Sequence, residues 1–246
     1  MSKWSAQRLM KGLESDPQKL RIMAQDACID DQQERILRAM PHMIWHVGNP
    51  GHQGDHLWDR EYGNAISCTM REAHILSLLA DMIDPEAVIE IGTHMGWSAA
   101  HLGIACWGPV WMIDPWGLLG QLERCRGNVK RATEHSDLHF VQGKSPRALD
   151  DIGLAEDTNV LAFIDGDHTK EAPMKDATGI LERWPNAHLV LHDVEVLPVA
   201  KAIREITEKY PLRMGIKLDT ANGIWVNSLD REVIAATISI RERWVP

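Results

Sequence analysis

Two short segments in the second half of the chain carry side chains that bind metals and move protons. The first, F-I-D-G-D-H, contains Asp165, Asp167 and His168, and the second, L-H-D-V, contains His192 and Asp193. Both follow apolar runs typical of buried strands, so their polar groups stand where strands end. Meeting at one sheet edge, Asp165, His192 and Asp193 form a donor set for a divalent cation. Because histidine titrates near neutral pH, His168 is the candidate general base.

The same residues also have a purely structural interpretation. Asp165 and Asp167 would then cap a helix that begins near Thr169, and His168 would only be a hydrogen-bonding partner. In the chemical interpretation, a cation at this edge lowers the pKa of a bound hydroxyl, which makes that hydroxyl a nucleophile near neutral pH. Both interpretations stay open at the level of the sequence.

A glycine loop in the middle of the chain is the second region with a chemical signature. Residues 88–91 form an apolar run typical of a strand buried on both faces, and Gly92 and Gly96 mark a tight loop after it. Ser98 is placed to cap the following helix, whose backbone N–H groups and dipole would face a ligand. The loop has neither a dinucleotide fingerprint nor the lysine of a P-loop. The pattern therefore predicts a nucleoside without phosphates, and Glu90 suits ligand hydroxyl or ammonium groups.

Three further positions follow predicted strands and so stand at the same edge. Asp114 can accept both hydroxyls of a ribose, although the proline after it also suits a turn or a helix cap. Trp116 can stack on an adenine ring or pack in the core. The turn formed by Gly143, Lys144 and Ser145 either touches the edge of the base or is a plain loop. The sequence does not decide among these alternatives.

The composition limits the class of partner. The chain has 246 residues and a formal net charge of −9, which argues against a nucleic-acid binder because phosphate contacts need clustered lysine and arginine. No apolar run reaches the ~20 residues of a membrane span, and the N-terminus lacks the apolar core of a signal peptide. The four cysteines are scattered without a C-x-x-C pair. We therefore expect free thiols, a cytoplasmic location and no membrane partner.

The elements that must position these groups alternate between strand and helix from residue 87 onward. Five parallel strands are predicted, over residues 88–91, 110–114, 138–141, 160–165 and 189–193. The end differs, because residues 212–218 and 223–227 are typical of an antiparallel hairpin. The prediction is an α/β fold: a Rossmann-like doubly wound sheet, mostly parallel, with a C-terminal antiparallel hairpin.

An N-terminal extension over residues 1–70 precedes the domain that spans residues 71–246. Apolar spacing indicates a helical region over residues 4–40, and residues 46–69 have the composition of a long loop. A helix over residues 71–83 then opens the main domain. We expect the extension to act as a lid or as a contact between copies in a homo-oligomer.

The sequence resembles the S-adenosylmethionine-dependent methyltransferases of the Rossmann-like type. Four blocks carry the resemblance: E-I-G-T-x-x-G-x-S from Glu90, I-D-P-W around Asp114, F-I-D-G-D-H and L-H-D-V. Together they cover about residues 70–228, in an order and spacing that are fairly specific. The branch most similar by these blocks is the small-molecule O-methyltransferases, which include macrolide-sugar O-methyltransferases and cephalosporin-hydroxylase-like proteins.

The resemblance implies a role for each position. The residues it places at S-adenosylmethionine are Glu90, Gly92, Thr93, Gly96, Ser98, Asp114, Trp116, Gly143, Lys144, Ser145 and Asp165. Within that set the glycine loop would hold the methionine part, Asp114 the ribose, and Trp116 with the 143–145 turn the adenine. It also implies that Asp165, His192 and Asp193 bind Mg²⁺ or Mn²⁺. His168 would deprotonate the hydroxyl of a small acceptor.

Two other functions stay open beside metal-assisted O-methylation of a small hydroxylated acceptor. A hydroxylase-like or otherwise non-methylating protein would keep the S-adenosylmethionine pocket, and oxygen-dependent turnover would identify it. A non-catalytic binding module would lose no activity when His168 is replaced. Product analysis and that replacement therefore separate the three.

Overall fold

The apolar runs of the chain form the strands of one large mixed sheet. The computed structural model describes residues 35–36, 38–40, 43–46, 56–59, 64–65, 68–135, 137–169 and 171–244. Their strands are β1 (Met43–His46), β2 (His56–Asp59), β3 (Asn64–Ala65), β4 (Ala87–Ile91), β5 (Val110–Asp114), β6 (Leu138–Gln142), β7 (Val160–Ile164), β8 (His188–His192), β9 (Met214–Leu218) and β10 (Ile224–Ser228). The last seven build the large sheet, and β1 to β3 build a small antiparallel one.

The strand order creates one natural place for a ligand. The large sheet runs β6-β5-β4-β7-β8-β10-β9, with β4 to β8 parallel and β10 antiparallel to β8 and β9. From β4 the chain moves outward to β6 on one side and then returns to β7 on the other side. In open α/β sheets ligands bind beyond the carboxyl ends of the strands at such a reversal. The reversal here lies between β4 and β7.

Among the described residues from 68 onward, six helices cover the two faces of the large sheet. They are α1 (Met70–Ile83), α2 (Trp97–Ala105), α3 (Gln121–Thr133), α4 (Ala172–Arg183), α5 (Leu197–Lys209) and α6 (Arg231–Trp244), with a 3₁₀ turn at Arg147–Asp151. One apolar core joins α1, α2, α3 and α6 to the sheet, and a second core joins α4 and α5 to its other face. The central strands β4, β7 and β8 are buried along their whole length, which explains their continuous apolar sequence.

The predicted fold class is confirmed, and the strand limits agree with the structure to within two residues. The C-terminal helix α6 was missed. Its buried face repeats at helical spacing through Val233, Thr237 and Ile240, but the middle position is a threonine, which weakens the apolar pattern.

The prediction of an uninterrupted loop over residues 46–69 is wrong, because β2 and β3 lie within it and pair with each other. Strands of four and two residues are too short to show an alternating pattern in the sequence. Residues 35–36 and 38–39 are helical and Met40 is not, and the rest of the helical prediction for residues 4–40 lies outside the described residues. The division at residue 70 stays a prediction.

Two expectations from the composition can be compared with the fold. Cys68, Cys106 and Cys125 are buried free thiols, as the scattered spacing predicts. Among the described residues no helix has both the length and the apolar character needed to cross a bilayer.

Candidate active site

The register of three neighbouring strands brings the candidate residues together. Ile91 on β4 is level with Ile164 on β7, which is level with Leu191 on β8. The next residues are therefore Gly92 after β4, Asp165 after β7 and His192 at the end of β8. All three stand at the same sheet edge. The backbone continues this pairing for one step, since the Asp165 N–H donates to the Ile91 carbonyl at 2.9 Å.

Four side chains at this edge form a group that we call the strand-end cluster: Asp165, His168, His192 and Asp193. Oδ1 of Asp165 lies 3.2 Å from Nδ1 of His192 and 3.3 Å from Nε2 of His168. Oδ2 of Asp193 lies 3.4 Å from Nδ1 of His168 and 3.7 Å from Nδ1 of His192. Each histidine thus contacts both carboxylates. The structure brings together all the residues that the sequence proposed for a metal and a base.

The structural interpretation of these residues holds for Asp167 and not for Asp165. Oδ1 of Asp167 accepts a hydrogen bond from the Thr169 N–H at 2.9 Å, which closes a local turn. The helix itself begins later, at Ala172. Asp165 points instead at the two histidines, so the pair of aspartates divides into a turn residue and a site residue.

The cluster fits a divalent cation by the chemistry of its donors. Asp165, His192 and Asp193 each offer a ligand atom, and these three atoms lie within 4.8 Å of one another. Two carboxylate oxygens and one imidazole nitrogen suit Mn²⁺ or a later transition metal better than an all-oxygen set would. The ring of His192 presents Nδ1 to this group, while its Nε2 lies 3.1 Å from Oε2 of Glu72. A carboxylate on the far nitrogen is the usual support of a metal-binding histidine.

Glu72 is a site residue that the sequence analysis missed. It is fully buried on α1, and its carboxylate accepts hydrogen bonds from the Thr69 N–H (2.8 Å), the Thr220 hydroxyl (2.7 Å), the Asn222 N–H (2.8 Å) and the Asn222 side-chain amide (3.1 Å). It therefore ties the start of α1 and the β9–β10 turn to His192. The only local signal is the T-x-x-E spacing of a capping box. That spacing gives no indication of contacts with residues almost 150 positions away.

The charges of the cluster stabilise one another. Burial works against ionisation, but Asp165, Asp193 and Glu72 around the ring raise the pKa of His192 well above its usual value. Burial also opposes the charge on Asp165, and the two histidines outweigh it and lower the pKa of Asp165. The hydrogen bond with Asp165 raises the pKa of His168. The cluster is therefore a set of paired charges that holds its geometry.

The glycine loop stands beside the cluster and leaves no room for a side chain. Gly92 has φ of +95°, and a Cβ at this position would overlap the backbone carbonyl of Asp165. Gly96 has φ of +86° and is itself the N-cap of α2. The prediction that Ser98 caps this helix is wrong, because the helix begins earlier, at Trp97. The Ser98 hydroxyl donates instead to Glu90.

Glu90 lies behind the glycine loop rather than in front of it. Its side chain is fully buried, and the Ser98 hydroxyl is its hydrogen-bond donor. Burial raises the pKa of Glu90 to about 7. The carboxyl group therefore helps to pack the loop against α2.

Asp114 and Trp116 hold the glycine loop through hydrogen bonds with the backbone of His94. The carboxylate of Asp114 accepts the Trp116 N–H at 2.6 Å and the His94 N–H at 2.9 Å, so it combines a turn role with its position at the strand end. The Trp116 indole is buried, and its Nε1 donates to the His94 carbonyl at 2.9 Å. Of the two interpretations of Trp116, core packing is the one that the structure shows.

A cavity of about 640 Å³ opens over this edge, which is within the size range of small-molecule sites. Nine sequence-proposed residues line it: Gly92, Asp114, Gly143, Lys144, Ser145, Asp165, His168, His192 and Asp193. Five others lie behind its walls: Glu90, Thr93, Gly96, Ser98 and Trp116. Asn222 and Asp176 also line the cavity, and the sequence analysis proposed neither.

Comparison with known proteins now adds a family to this geometry. Residues 89–194 match a family model described as a methyltransferase domain. This segment is similar to methyltransferase domains. It contains every sequence-proposed site residue, and the expected enzyme class, an S-adenosylmethionine-dependent methyltransferase, is confirmed. Glu72 and Asn222 lie outside the matched segment.

Solved structures share the fold over most of the chain. An O-methyltransferase from Bacillus cereus in complex with SAH is similar with a TM-score of 0.62 and 18% identity, covering 84% of this chain and 94% of that one. The O-methyltransferase TomG from Streptomyces achromogenes, in complex with SAM, is similar with a TM-score of 0.60 and 16% identity, covering 84% and 94%. At such identities the likeness establishes a shared fold. No curated protein matched the sequence.

Proposed function

We propose that this methyltransferase methylates the hydroxyl oxygen of a small acceptor, with His168 as the base and a divalent cation held by Asp165, His192 and Asp193. The observation that carries the proposal is the place of His168. Its ring contacts two strand-end carboxylates and lines the same cavity as the glycine loop. A base, a cation-binding set and a nucleoside-type cradle thus share one cavity.

The cofactor side of the proposal rests on Gly92 and Asp114. The oxygens of Asp114 each accept one backbone N–H and keep further lone pairs for the hydroxyls of a ribose. Gly92 lets the loop approach the end of β7 closely, so the methionine part of a ligand would lie next to Asp165. The SAH complex from Bacillus cereus and the SAM complex of TomG support this choice of cofactor. When bound, S-adenosylmethionine supplies a methyl group that is already activated on a sulfonium.

The task left to the chain is to align the acceptor oxygen and remove its proton. Nε2 and Nδ1 of His168 lie at contact distance from Asp165 and Asp193, so the ring is held in one orientation. In its neutral form the ring can accept the proton of the acceptor hydroxyl. The raised pKa of His168 makes the neutral fraction grow with pH, so we expect turnover to rise toward alkaline pH.

A cation is the second part of the proposal. Asp165, His192 and Asp193 would hold it, and a bound cation would lower the pKa of the acceptor hydroxyl. Glu72 keeps the Nδ1 edge of His192 turned to these carboxylates. Mn²⁺ suits this mixed nitrogen and oxygen donor set.

The test is a methyl-transfer assay on a panel of hydroxylated sugars, phenols and catechols that measures methylated product and S-adenosylhomocysteine together. His168→Gln keeps a polar side chain but cannot take the proton, so we expect kcat to fall about 10²- to 10⁴-fold. The affinity for S-adenosylhomocysteine should not change. His139→Gln is the matched control, because His139 stacks on Trp111 away from the cavity.

Two outcomes would contradict the proposal. One is an unchanged kcat in His168→Gln, which would remove this residue from proton transfer. The other is oxygen-dependent turnover with no methylated product, which would identify the hydroxylase-like alternative.

A further inference from the structure

The turn between β9 and β10 brings an asparagine to one end of the cavity. Ile224, the first residue of β10, is level with His192 on β8, so Asn222 lies beyond the end of these strands. Asn222 is half-buried and lines the cavity. In the sheet order β10 follows β8, whereas Asp114 and Gly92 stand at the ends of β5 and β4, on the other side of β7. The strand-end cluster therefore separates Asn222 from the half of the cavity proposed for the cofactor.

Contacts with Glu72 fix which end of the Asn222 amide is left for the cavity. The carboxylate of Glu72 accepts hydrogen bonds from the backbone N–H of Asn222 at 2.8 Å and from its side-chain nitrogen at 3.1 Å. Two oxygens cannot hydrogen-bond to each other without a proton, so the amide nitrogen and not the amide oxygen must face this carboxylate. The amide oxygen, Oδ1, is turned away from Glu72, and it accepts no hydrogen bond from the described residues.

An oxygen held in this way can recognise a second group of the acceptor. The reacting hydroxyl must lie at His168, whose ring contacts Asp165 and Asp193 at the ends of β7 and β8. Asn222 stands on the next strand, β10, so its Oδ1 can meet a group close to that hydroxyl. An amide oxygen pairs with O–H and N–H donors and does not pair with an ether oxygen. An acceptor without a donor here would leave this oxygen unpaired when it displaces water, which lowers affinity.

We propose that Asn222 selects acceptors that carry a second hydroxyl or amino group near the methylated hydroxyl, by accepting a hydrogen bond from that group at Oδ1. This inference rests on the proposed function and narrows its substrate class to diols and amino alcohols. The second contact also orients the acceptor, because a ligand held at both His168 and Asn222 cannot rotate about its reacting oxygen. Asn222 is thus a specificity residue and takes no proton itself.

The test compares catechol with phenol, and trans-cyclohexane-1,2-diol with cyclohexanol, since the members of each pair differ only by the second hydroxyl. We expect the full-length wild type to methylate the diol of each pair with a kcat/KM at least about 5-fold higher, the effect of one hydrogen bond between uncharged groups. Asn222→Ala removes the accepting oxygen and should lower this ratio about 5-fold. A preference that comes only from a bound cation would stay in this variant.

Thr220→Val is the matched control for the loss of contact with Glu72. Like Asn222→Ala, it removes one side-chain hydrogen bond to that carboxylate, but Thr220 does not line the cavity. A loss that acts through Glu72 should lower kcat/KM for both members of a pair and leave their ratio at the wild-type value. Asn222→Ser keeps a hydroxyl that can donate to Glu72 and lacks the amide oxygen, so it repeats the comparison if Asn222→Ala does not fold.

Three results would overturn the inference. The first is a wild type that methylates neither diol, or that methylates both members of a pair with equal kcat/KM. The second is an unchanged ratio in Asn222→Ala or, if that protein does not fold, in Asn222→Ser. The third is an equal fall of the ratio in Thr220→Val, because the preference would then depend on Glu72. A wild type that binds no S-adenosylhomocysteine and methylates no compound of the panel would instead refute the proposed function, and this inference with it.

Discussion

Two fully buried glutamates flank the site, and their surroundings differ. Glu72, beside the strand-end cluster, accepts four hydrogen bonds and contacts His192. Glu90, behind the glycine loop, accepts one from Ser98, and its Oε2 has no partner in the part of the chain that the structure describes. Burial alone would keep both groups neutral. Contact with His192 and the N–H donors outweighs burial and lowers the pKa of Glu72, whereas burial raises the pKa of Glu90 to about 7.

This difference shows which part of the site stabilises ionised side chains. Around Glu72 and His192 every ionised group has a partner of opposite sign. The geometry of the strand-end cluster is therefore fixed before a ligand binds. Glu90 instead packs between the glycine loop and α2, and its hydrogen-bond donor Ser98 carries no charge. The two equally buried glutamates thus have different roles: Glu72 supports the charged cluster and Glu90 packs the glycine loop. Substitutions at each position can distinguish these roles.

The largest effect is expected at the centre of the charged region. Asp165→Asn removes the carboxylate that contacts both His168 and His192. Loss of an outer partner of a metal site costs about 10- to 100-fold in affinity, so loss of this central ligand should lower Mn²⁺ affinity by more than about 100-fold and abolish metal-dependent turnover. Mn²⁺ titration followed by electron paramagnetic resonance measures the affinity. Asp157→Asn, an exposed aspartate before β7, is the charge-matched control.

Glu72→Gln should have the next largest effect. The amide group that replaces one oxygen brings N–H groups against the donors of Thr69 and His192, and it removes one of the three carboxylates around His192. We expect a loss of about 3 kcal/mol in the free energy of urea unfolding and a 10- to 100-fold loss of Mn²⁺ affinity. Wild-type stability with unchanged Mn²⁺ affinity would show that Glu72 does not support the cluster.

Glu90→Gln should have the smallest effect on the metal site, and the sign of its effect on stability depends on pH. The pKa of Glu90 is raised from 4.5 to about 7 on folding, so the wild type loses stability as pH rises through this interval, by about 3 kcal/mol at 1.4 kcal/mol per pKa unit. The glutamine variant lacks this loss. Its stability relative to wild type should therefore increase between pH 5 and pH 8, as measured by urea unfolding at both. A stability difference independent of pH would contradict the raised pKa of Glu90.

Glu90→Gln also sharpens the comparison with Glu72→Gln. Because Glu90 does not contact His192, its replacement should leave Mn²⁺ affinity at the wild-type value. Equal losses in the two variants would mean that the regions are not separate.

The parts of the site that the sequence predicts are those whose side chains act where strands end. Asp165, His168, His192 and Asp193 are recognisable because polar residues follow apolar strands, and parallel strands end at a common edge. The parallel sheet follows from the same runs. A local sequence pattern therefore predicts contacts between consecutive or neighbouring strands.

The remaining parts depend on contacts that a local pattern does not contain. Glu72 has an ordinary capping-box spacing, and its partners Thr220 and Asn222 lie in a turn at the far end of the chain. Asp176 lines the cavity from α4, and the sequence pattern of that helix gives no indication of this contact. Glu90 was expected to face a ligand, and the sheet turns it toward α2 and Ser98 instead.

The central claim is that the cavity beside the glycine loop binds S-adenosylmethionine. Calorimetric titration of S-adenosylhomocysteine into the full-length protein, with and without Mn²⁺, tests it most directly. We predict one site of micromolar affinity that Asp114→Ala abolishes, since this carboxylate serves both the loop and the ribose. Absence of binding under both conditions would contradict the account.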